Sequence, residues 1–175
     1  MLISKKVWRL STVIALSLYA VMLGITIPHL QHLSQGIAIP DMLPGGYNIT
    51  YINKLFETLG ETGRDYYTYI QVPLDTIYPV AFSVMSINFI QHGIGSHIWA
   101  KKYMLIFPII SVVCDYTENI STLYSLINYP NLSATVIQIS SVASLLKTVT
   151  VSFILIILVI LAINALRKKL TKCNG

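Results

Sequence analysis

Two carboxyl side chains and an amide stand close together in an otherwise apolar stretch of the sequence. Asp115, Glu118 and Asn119 lie near the middle of Met104–Ile127, which is long enough to cross a bilayer as a helix. An ionised carboxyl that faces lipid at mid-membrane costs about 2.5 to 3.5 kcal/mol. We therefore expect these groups to face a protein interior, where carboxyls suit proton transfer or the binding of a cation.

Helical spacing gathers the polar residues of this stretch on one face. At 3.6 residues per turn, seven side chains form a single stripe: Pro108, Ser111, Asp115, Glu118, Asn119, Thr122 and Ser125. Apolar residues such as Ile110 and Val113 fall on the opposite side. The apolar residues roughly cancel the insertion cost of the two carboxyls, so this helix needs its neighbours.

Two other apolar stretches carry charged residues that can reach this stripe. Asp75 shares a helix face with Tyr78, and Pro79 cannot donate the backbone hydrogen bond that the Asp75 carbonyl would otherwise accept. Lys147 and Asp115 each lie about eleven residues from one end of their spans, so both approach mid-membrane. The predicted ligand-binding or proton-relay residues are Asp75, Tyr78, Asp115, Glu118, Asn119 and Lys147, with Arg64 at the outer mouth.

The charges of this predicted site do not balance. Three carboxyls and one ammonium leave an excess of two negative charges, which a low-dielectric interior does not tolerate. A carboxyl must then be protonated, hydrated or matched by a bound cation or cationic ligand. In an alternative interpretation, Lys147 pairs with Asp115 or Glu118 only to fix helix register, while Asp75 is solvated near the outer surface.

The composition of the chain is that of an integral membrane protein. Of its 175 residues, 54% are hydrophobic and 11% are charged, and the mean hydropathy is +0.67. The predicted spans are Val7–Ile27, Tyr67–Ile90, Met104–Ile127 and Ile137–Ala165, each near or above the roughly 20 residues that a crossing helix needs. Basic residues concentrate before the first span, between the second and third, and after the fourth. The positive-inside rule therefore predicts a cell membrane protein with both termini in the cytoplasm.

The segment Pro28–Tyr66 is the only sizeable part predicted outside the membrane. Its first half is rich in turn residues, and its second half has helical periodicity, with Asn48 or Thr50 to cap the start and Gly60 to end it. Four acids also fall in this loop: Asp41, Glu57, Glu61 and Asp65. We predict an all-α fold, a single membrane domain over residues 1–175 built as a four-transmembrane-helix bundle with a short amphipathic helix in the first outer loop.

Two features of this topology have their own interpretations. The first span could instead be a cleaved signal peptide, although its apolar run is longer than the roughly 7 to 15 residues usual for one. Tyr66, Tyr67 and Tyr69 at the start of the second span suit an aromatic belt at the membrane interface.

Other kinds of chemistry fit the sequence less well. Cys114 and Cys173 are too far apart to suggest a redox motif or a disulfide framework. His29 and His32 are predicted on the membrane face opposite His92 and His97, so we expect no metal site and no cofactor. The basic excess flanks apolar spans, which makes the lipid bilayer the expected partner and nucleic acid an unexpected one.

Three short motifs carry a family resemblance. The order Gly63-Arg64-x-x-Tyr67, Asp75-x-x-Tyr78-Pro79 and Asp115-x-x-Glu118-Asn119 resembles a family of small, uncharacterised bacterial four-helix membrane proteins, which implies the same topology but no activity. A looser similarity is to the emopamil-binding (EXPERA) family of sterol isomerases and sterol-binding receptors. Asp75 followed by Pro79, with an acid in a neighbouring helix, carries that likeness. The family's aromatic isomerase pattern is missing, so no catalytic residues are carried over.

The leading functional hypothesis is an outward-facing polar cavity that binds a small amphiphile, lipid or cationic ligand. Whether the protein is an enzyme stays open; in an enzyme, one carboxyl would be the general acid and an ionised partner the base. One alternative is a proton- or cation-coupled carrier or channel, which needs an oligomer because four helices are few for a pathway. Another is a structural subunit whose polar stripe packs against a second membrane protein, or against a further copy of the chain.

Overall fold

Four long helical stretches build the fold. The computed structural model describes residues 5–93 and 103–173, and these contain no strand. The helices are α1 (Lys5–Val21), α2 (Ile27–Leu33), α3 (Ile49–Tyr66), α4 (Val72–Gly93), α5 (Ile106–Ile127) and α6 (Ala134–Cys173). A π-helical turn, Met22–Thr26, joins α1 to α2, and a second, Tyr67–Gln71, joins α3 to α4. The prediction of an all-α fold is confirmed.

Three of the continuous helices are long and apolar enough to cross a membrane: Lys6–Leu33, Ile49–Gly93 and Ala134–Asn164. Their presence indicates a membrane protein. With 22 residues, α5 is also long enough for a crossing. The polar groups at its centre lower its hydropathy, so it is not among the three.

The amphipathic helix predicted in the first loop is α3. The Asn48 side chain caps it by accepting a hydrogen bond from the Tyr51 backbone N–H at 2.9 Å, as predicted. Gly60 has non-helical dihedrals, with φ of 63° and ψ of −173°, so it ends the first helical segment as predicted, and a second segment begins directly after this kink. Helix resumes beyond the kink and continues into α4, so the loop helix and the second span follow each other without an intervening loop.

The apolar face of α3 covers one end of the bundle. Its buried side chains Ile52, Leu55, Phe56 and Leu59 belong to one apolar cluster with Leu30, Leu126 and Ile137 from α2, α5 and α6. Burying one such side chain fully contributes about 1.5 to 3 kcal/mol when the exposed alternative is water. This packing fixes α3 over the ends of three other helices.

The remaining helices leave a gap on one side. Helix α5 packs along both α4 and α6, whereas α1 packs along α4. Among the described residues, α1 and α6 share no extended contact. Residues of both helices line one cavity beside the polar residues of α4 and α5.

The connection between α2 and α3, residues 34–47, folds inward rather than extending into solvent. Ile39 and Pro40 are completely buried. The Tyr51 hydroxyl donates to the Ala38 carbonyl at 2.8 Å, and the Tyr47 N–H donates to Ser141 Oγ on α6 at 2.9 Å. The segment is thus held from both sides, and it carries residue 41 into the bundle.

Candidate functional site

The polar stripe of α5 faces the bundle interior along its whole length. The buried side chains are Pro108, Ser111, Asp115, Glu118, Asn119, Thr122 and Ser125. Val113 and Ile120 on the opposite face are 60% and 65% exposed. The predicted orientation of this helix is confirmed.

Lys147 of α6 lies among three carboxylates. Its Nζ is 2.8 Å from Asp41 Oδ1 and 3.7 Å from Asp115 Oδ1, and it makes a shorter contact with Glu118 Oε2. Packing of α6 along α5 positions Lys147 beside the two acids of the stripe. Buried ion pairs of this kind need several partners, because a single contact does not repay the desolvation of both charges.

Asp41 was missed as a member of this cluster, because its sequence position indicated an outer-loop acid. It reaches Lys147 because the Ile39–Pro40 pair is buried and draws the following residue inward. The signal in the sequence was the apolar run 37–40, which is unusual for a solvated loop. With Asp41 the polar cluster holds four carboxyls and one ammonium, so its formal excess is three negative charges.

Asp75 is buried beside an amide and away from the ammonium. The Gln71 Nε2 donates to both Asp75 carboxylate oxygens at 3.0 Å, and Gln71 Oε1 accepts from Thr26 Oγ1 at 2.6 Å. No basic side chain among the described residues lies within ion-pair distance of Asp75. The alternative in which Asp75 is solvated near the surface is wrong, because the residue is 3% exposed.

Asn119 connects α4 to α5. Its Nδ2 donates to the Asp75 backbone carbonyl at 2.9 Å and to Asp115 Oδ1 at 3.2 Å. The carbonyl is the acceptor that Pro79 leaves without its helical donor. A single side chain therefore satisfies the break in α4 and orients a carboxylate of the site.

Two tyrosines lie close to the same cluster. The Tyr47 hydroxyl is 2.7 Å from Ser140 Oγ and donates to Glu118 Oε1 at 3.4 Å. Burial, followed by the negative charge of Glu118, raises the pKa of the Tyr47 phenol above its usual value, so this hydroxyl stays a donor. Tyr67 is 1% exposed and its hydroxyl has no hydrogen-bond partner among the described residues. Its assignment to an interfacial belt is wrong, whereas Tyr69 is exposed.

Arg64 does not lie at the mouth of the polar site. Its Nη1 donates to the Phe56 carbonyl at 2.8 Å, and its guanidinium lies over the Tyr129 ring, 4.5 Å from the centroid. These contacts bridge the kink at Gly60 and tie α3 to the connection after α5. The predicted role of Arg64 is therefore corrected to a structural one.

A cavity of about 290 Å³ joins the polar cluster to the outside of the bundle. The charged residues that line it are Asp41, Asp75, Asp115 and Lys147. Tyr19 stacks on Tyr78, and Tyr78 on Phe82, with ring centroids 5.8 Å apart in both pairs, to form an aromatic wall. Leu23, in the π-helical turn after α1, and Ser152 of α6 also line the cavity and are exposed, so the cavity opens beside them.

No family model matches the chain, and no curated protein or solved structure shows significant similarity to it. The two family resemblances accordingly stay predictions. The site has to be interpreted from its own geometry.

The expectation of no metal also stays a prediction. Oxygens of Asp41, Asp115 and Glu118 lie within 4.8 Å of one another, a spacing that could hold a metal ion, and carboxylate oxygens suit hard cations. The Lys147 ammonium lies among the same oxygens. Of the histidines, His29 packs against a tyrosine ring and His97 lies outside the described residues.

The arrangement can bind a cation and can exchange protons. Asp75 and Asp115 both line the cavity, and neither is as close to Lys147 as Asp41 and Glu118 are. Of the carboxylates that line the cavity, Asp75 is therefore the one without an ammonium partner among the described residues.

Proposed function

We propose that this protein is a four-crossing membrane protein whose intramembrane cavity binds a small amphiphile with a cationic head group. The observation that carries the proposal is a single cavity that is lined by Asp75 and Asp115 and also by the exposed residues Leu23 and Ser152, which mark its opening. A ligand dissolved in the bilayer could enter through that opening without crossing an aqueous phase. Its head would then reach Asp75 and Asp115.

Charge supports a cationic head. The four carboxyls and one ammonium of the cluster have a formal excess of three negative charges, and Asp75 has an amide but no ammonium as partner. An ammonium between Asp75 and Asp115 would offset part of that excess. The aromatic wall at Tyr19, Tyr78 and Phe82 adds a surface that attracts cations and apolar chains alike.

Cavity size supports an amphiphile of which only part is enclosed. The volume of about 290 Å³ is close to the lower end of the roughly 300 to 1,000 Å³ usual for small-molecule pockets. The head group and the first part of a tail fit such a space. The rest of the tail would extend past Leu23 into the lipid.

The fourth crossing is α5. Its buried stripe and exposed opposite face suit a helix with lipid on one side and protein on the other. The short connection 128–133 makes α5 and α6 antiparallel neighbours. The distribution of basic residues supports a cell membrane protein with both termini in the cytoplasm. In a background without Cys114 and Cys173, a cysteine at Ser133 should react with an impermeant maleimide added outside, and one at Arg167 should not.

The binding test uses full-length protein in lipid nanodiscs and a fluorine-labelled single-chain alkylammonium, detected by ¹⁹F NMR. Matched alkyl alcohol and alkyl carboxylate probes report the dependence on head-group charge. We expect saturable binding that prefers the ammonium by about tenfold or more, and a comparable loss in Asp75→Asn. Asp65→Asn, which removes an exposed acid of α3, should bind as the unmodified protein does.

Access through the gap has its own variant. Leu23→Trp fills the opening between α1 and α6 and should weaken or slow binding while the helical content stays unchanged. Probes that bind without saturation, or equal affinities for all three head groups, contradict a cation site. A retained second protein subunit in native mass spectrometry, with no bound amphiphile, favours the structural-subunit alternative.

A further inference from the structure

The ammonium of Lys147 is a potential competitor of any cationic ligand of this cavity. It lines the cavity together with Asp75 and Asp115, on a flexible four-carbon stem. If it turned toward Asp75, it would give that carboxylate an internal partner. It lies instead closest to Asp41 and Glu118, and 3.7 Å from Asp115 Oδ1.

We infer that Asp41 is a specificity-determining residue of this site, which acts by holding the Lys147 ammonium away from Asp75. Glu118 is its partner in this role. Asp75 is then left without an internal cationic partner and is available to a cation that enters from the bilayer. The inference rests on the proposed function, because it concerns the same cavity and the same class of ligand.

The position of Asp41 does not depend on the ion pair alone. Asp41 lies in a turn of 3₁₀ helix, Pro40–Met42, closed by a hydrogen bond from the Met42 N–H to the Ile39 carbonyl at 2.9 Å. The complete burial of Ile39 and the bond between Tyr47 and Ser141 hold the chain on both sides of this turn. An isosteric Asp41→Asn change therefore removes a charge while the backbone around it keeps its anchors.

Two effects of Asp41 on a cationic ligand have to be separated. Asp41 lines the cavity, so its charge also attracts the ligand directly. The direct attraction is present with or without the ammonium, whereas the positioning effect requires Lys147. A double-mutant cycle between residues 41 and 147 distinguishes them.

The test measures alkylammonium binding to full-length protein in nanodiscs, as above, for Asp41→Asn, Lys147→Met and the double variant. We expect Asp41→Asn to weaken binding by about tenfold and Lys147→Met to strengthen it severalfold. The double variant should bind nearly as tightly as Lys147→Met. Both single variants lose the same ion pair, so a merely structural role predicts changes of the same sign.

Controls keep the inference falsifiable. Asp41→Glu retains the charge and should recover most of the affinity, and Asp65→Asn should leave it unchanged. If Lys147→Met does not fold, Lys147→Gln takes its place, because it can still donate a hydrogen bond. An equal loss on Asp41→Asn in both backgrounds, or a loss on Lys147→Met, overturns the positioning role. If the unmodified protein does not prefer the alkylammonium over the alcohol and carboxylate probes, the proposed function itself is wrong.

Discussion

Replacing Asn119 by leucine should destabilise the bundle through one identifiable backbone group. Asn119 donates to the Asp75 carbonyl at 2.9 Å, and Pro79 cannot supply the helical N–H for that carbonyl. A buried acceptor left without a donor costs about 1 to 3 kcal/mol. Polar contacts inside membranes contribute less, about 0.6 kcal/mol on average and 1.7 at most. Because the Asp115 contact is lost as well, we expect a loss of about 1 to 2 kcal/mol.

The same geometry predicts a specific rescue. Pro79→Ala restores an N–H at residue 79, which can donate to the Asp75 carbonyl four residues earlier. In the unmodified protein that carbonyl already has Asn119 as a donor. The effect of Pro79→Ala on the free energy of unfolding should therefore be more stabilising, by about 1 kcal/mol, in the Asn119→Leu background than in the unmodified protein.

Reversible unfolding in mixed micelles, titrated with dodecyl sulfate and followed by circular dichroism, measures all four free energies of unfolding. Asn128→Leu is the matched control, because Asn128 is exposed at the end of the same helix and should change stability by less than about 0.5 kcal/mol. Additive effects of the two substitutions, within about 0.5 kcal/mol, would refute the shared-carbonyl reasoning.

Two further substitutions test the elements that position the site. Gly46→Ala should lower stability by about 1 to 2 kcal/mol, because φ at Gly46 is +77° and the new Cβ would lie 2.7 Å from Ser141 Oγ. Gly45→Ala is the control: a Cβ at residue 45 meets no atom within 4 Å, so thermal melting should show almost no change in stability. Arg64→Ala should lower stability by about 1 to 2 kcal/mol through the lost Phe56 and Tyr129 contacts, with unchanged ammonium binding; a binding defect would return Arg64 to the site.

Periodicity was sufficient to orient α5 because its polar residues share one face. Polar groups such as Asp115 and Glu118 in a helix of this length have only one favourable direction, which is toward other protein groups. The free carbonyl of Asp75 was also predictable, since it follows from the covalent structure of Pro79. That Asn119 fills it was not, because the vertical offset between α4 and α5 is set by packing.

The positions that sequence reasoning misplaced depend on contacts distant in the chain. Asp41 enters the site because Ile39 packs in an apolar cluster formed mostly by residues of the helices. The spacing of the residues around Asp41 in the sequence does not indicate that cluster. Tyr67 resembles an interfacial tyrosine by position, yet it packs in the same cluster. Gly60 illustrates a local ambiguity: a glycine with positive φ can end a helix or kink it, and the helix that follows decides which.

Asp75 distinguishes two interpretations of the polar cluster: a ligand-binding site, and a set of polar residues that only hold the helices together. A role in fixing helix register explains the ion pairs of Lys147 with Asp41, Asp115 and Glu118. It does not explain Asp75, a buried carboxyl whose side-chain partner is an amide. Removing its charge should therefore relieve the ligand-free protein: Asp75→Asn should be as stable or more stable by about 1 kcal/mol in the same unfolding assay, while losing ammonium binding. If instead Asp75→Asn unfolds more easily and binding is unaffected, the carboxylate is part of the scaffold, and the negative excess of this cavity serves the fold rather than a ligand.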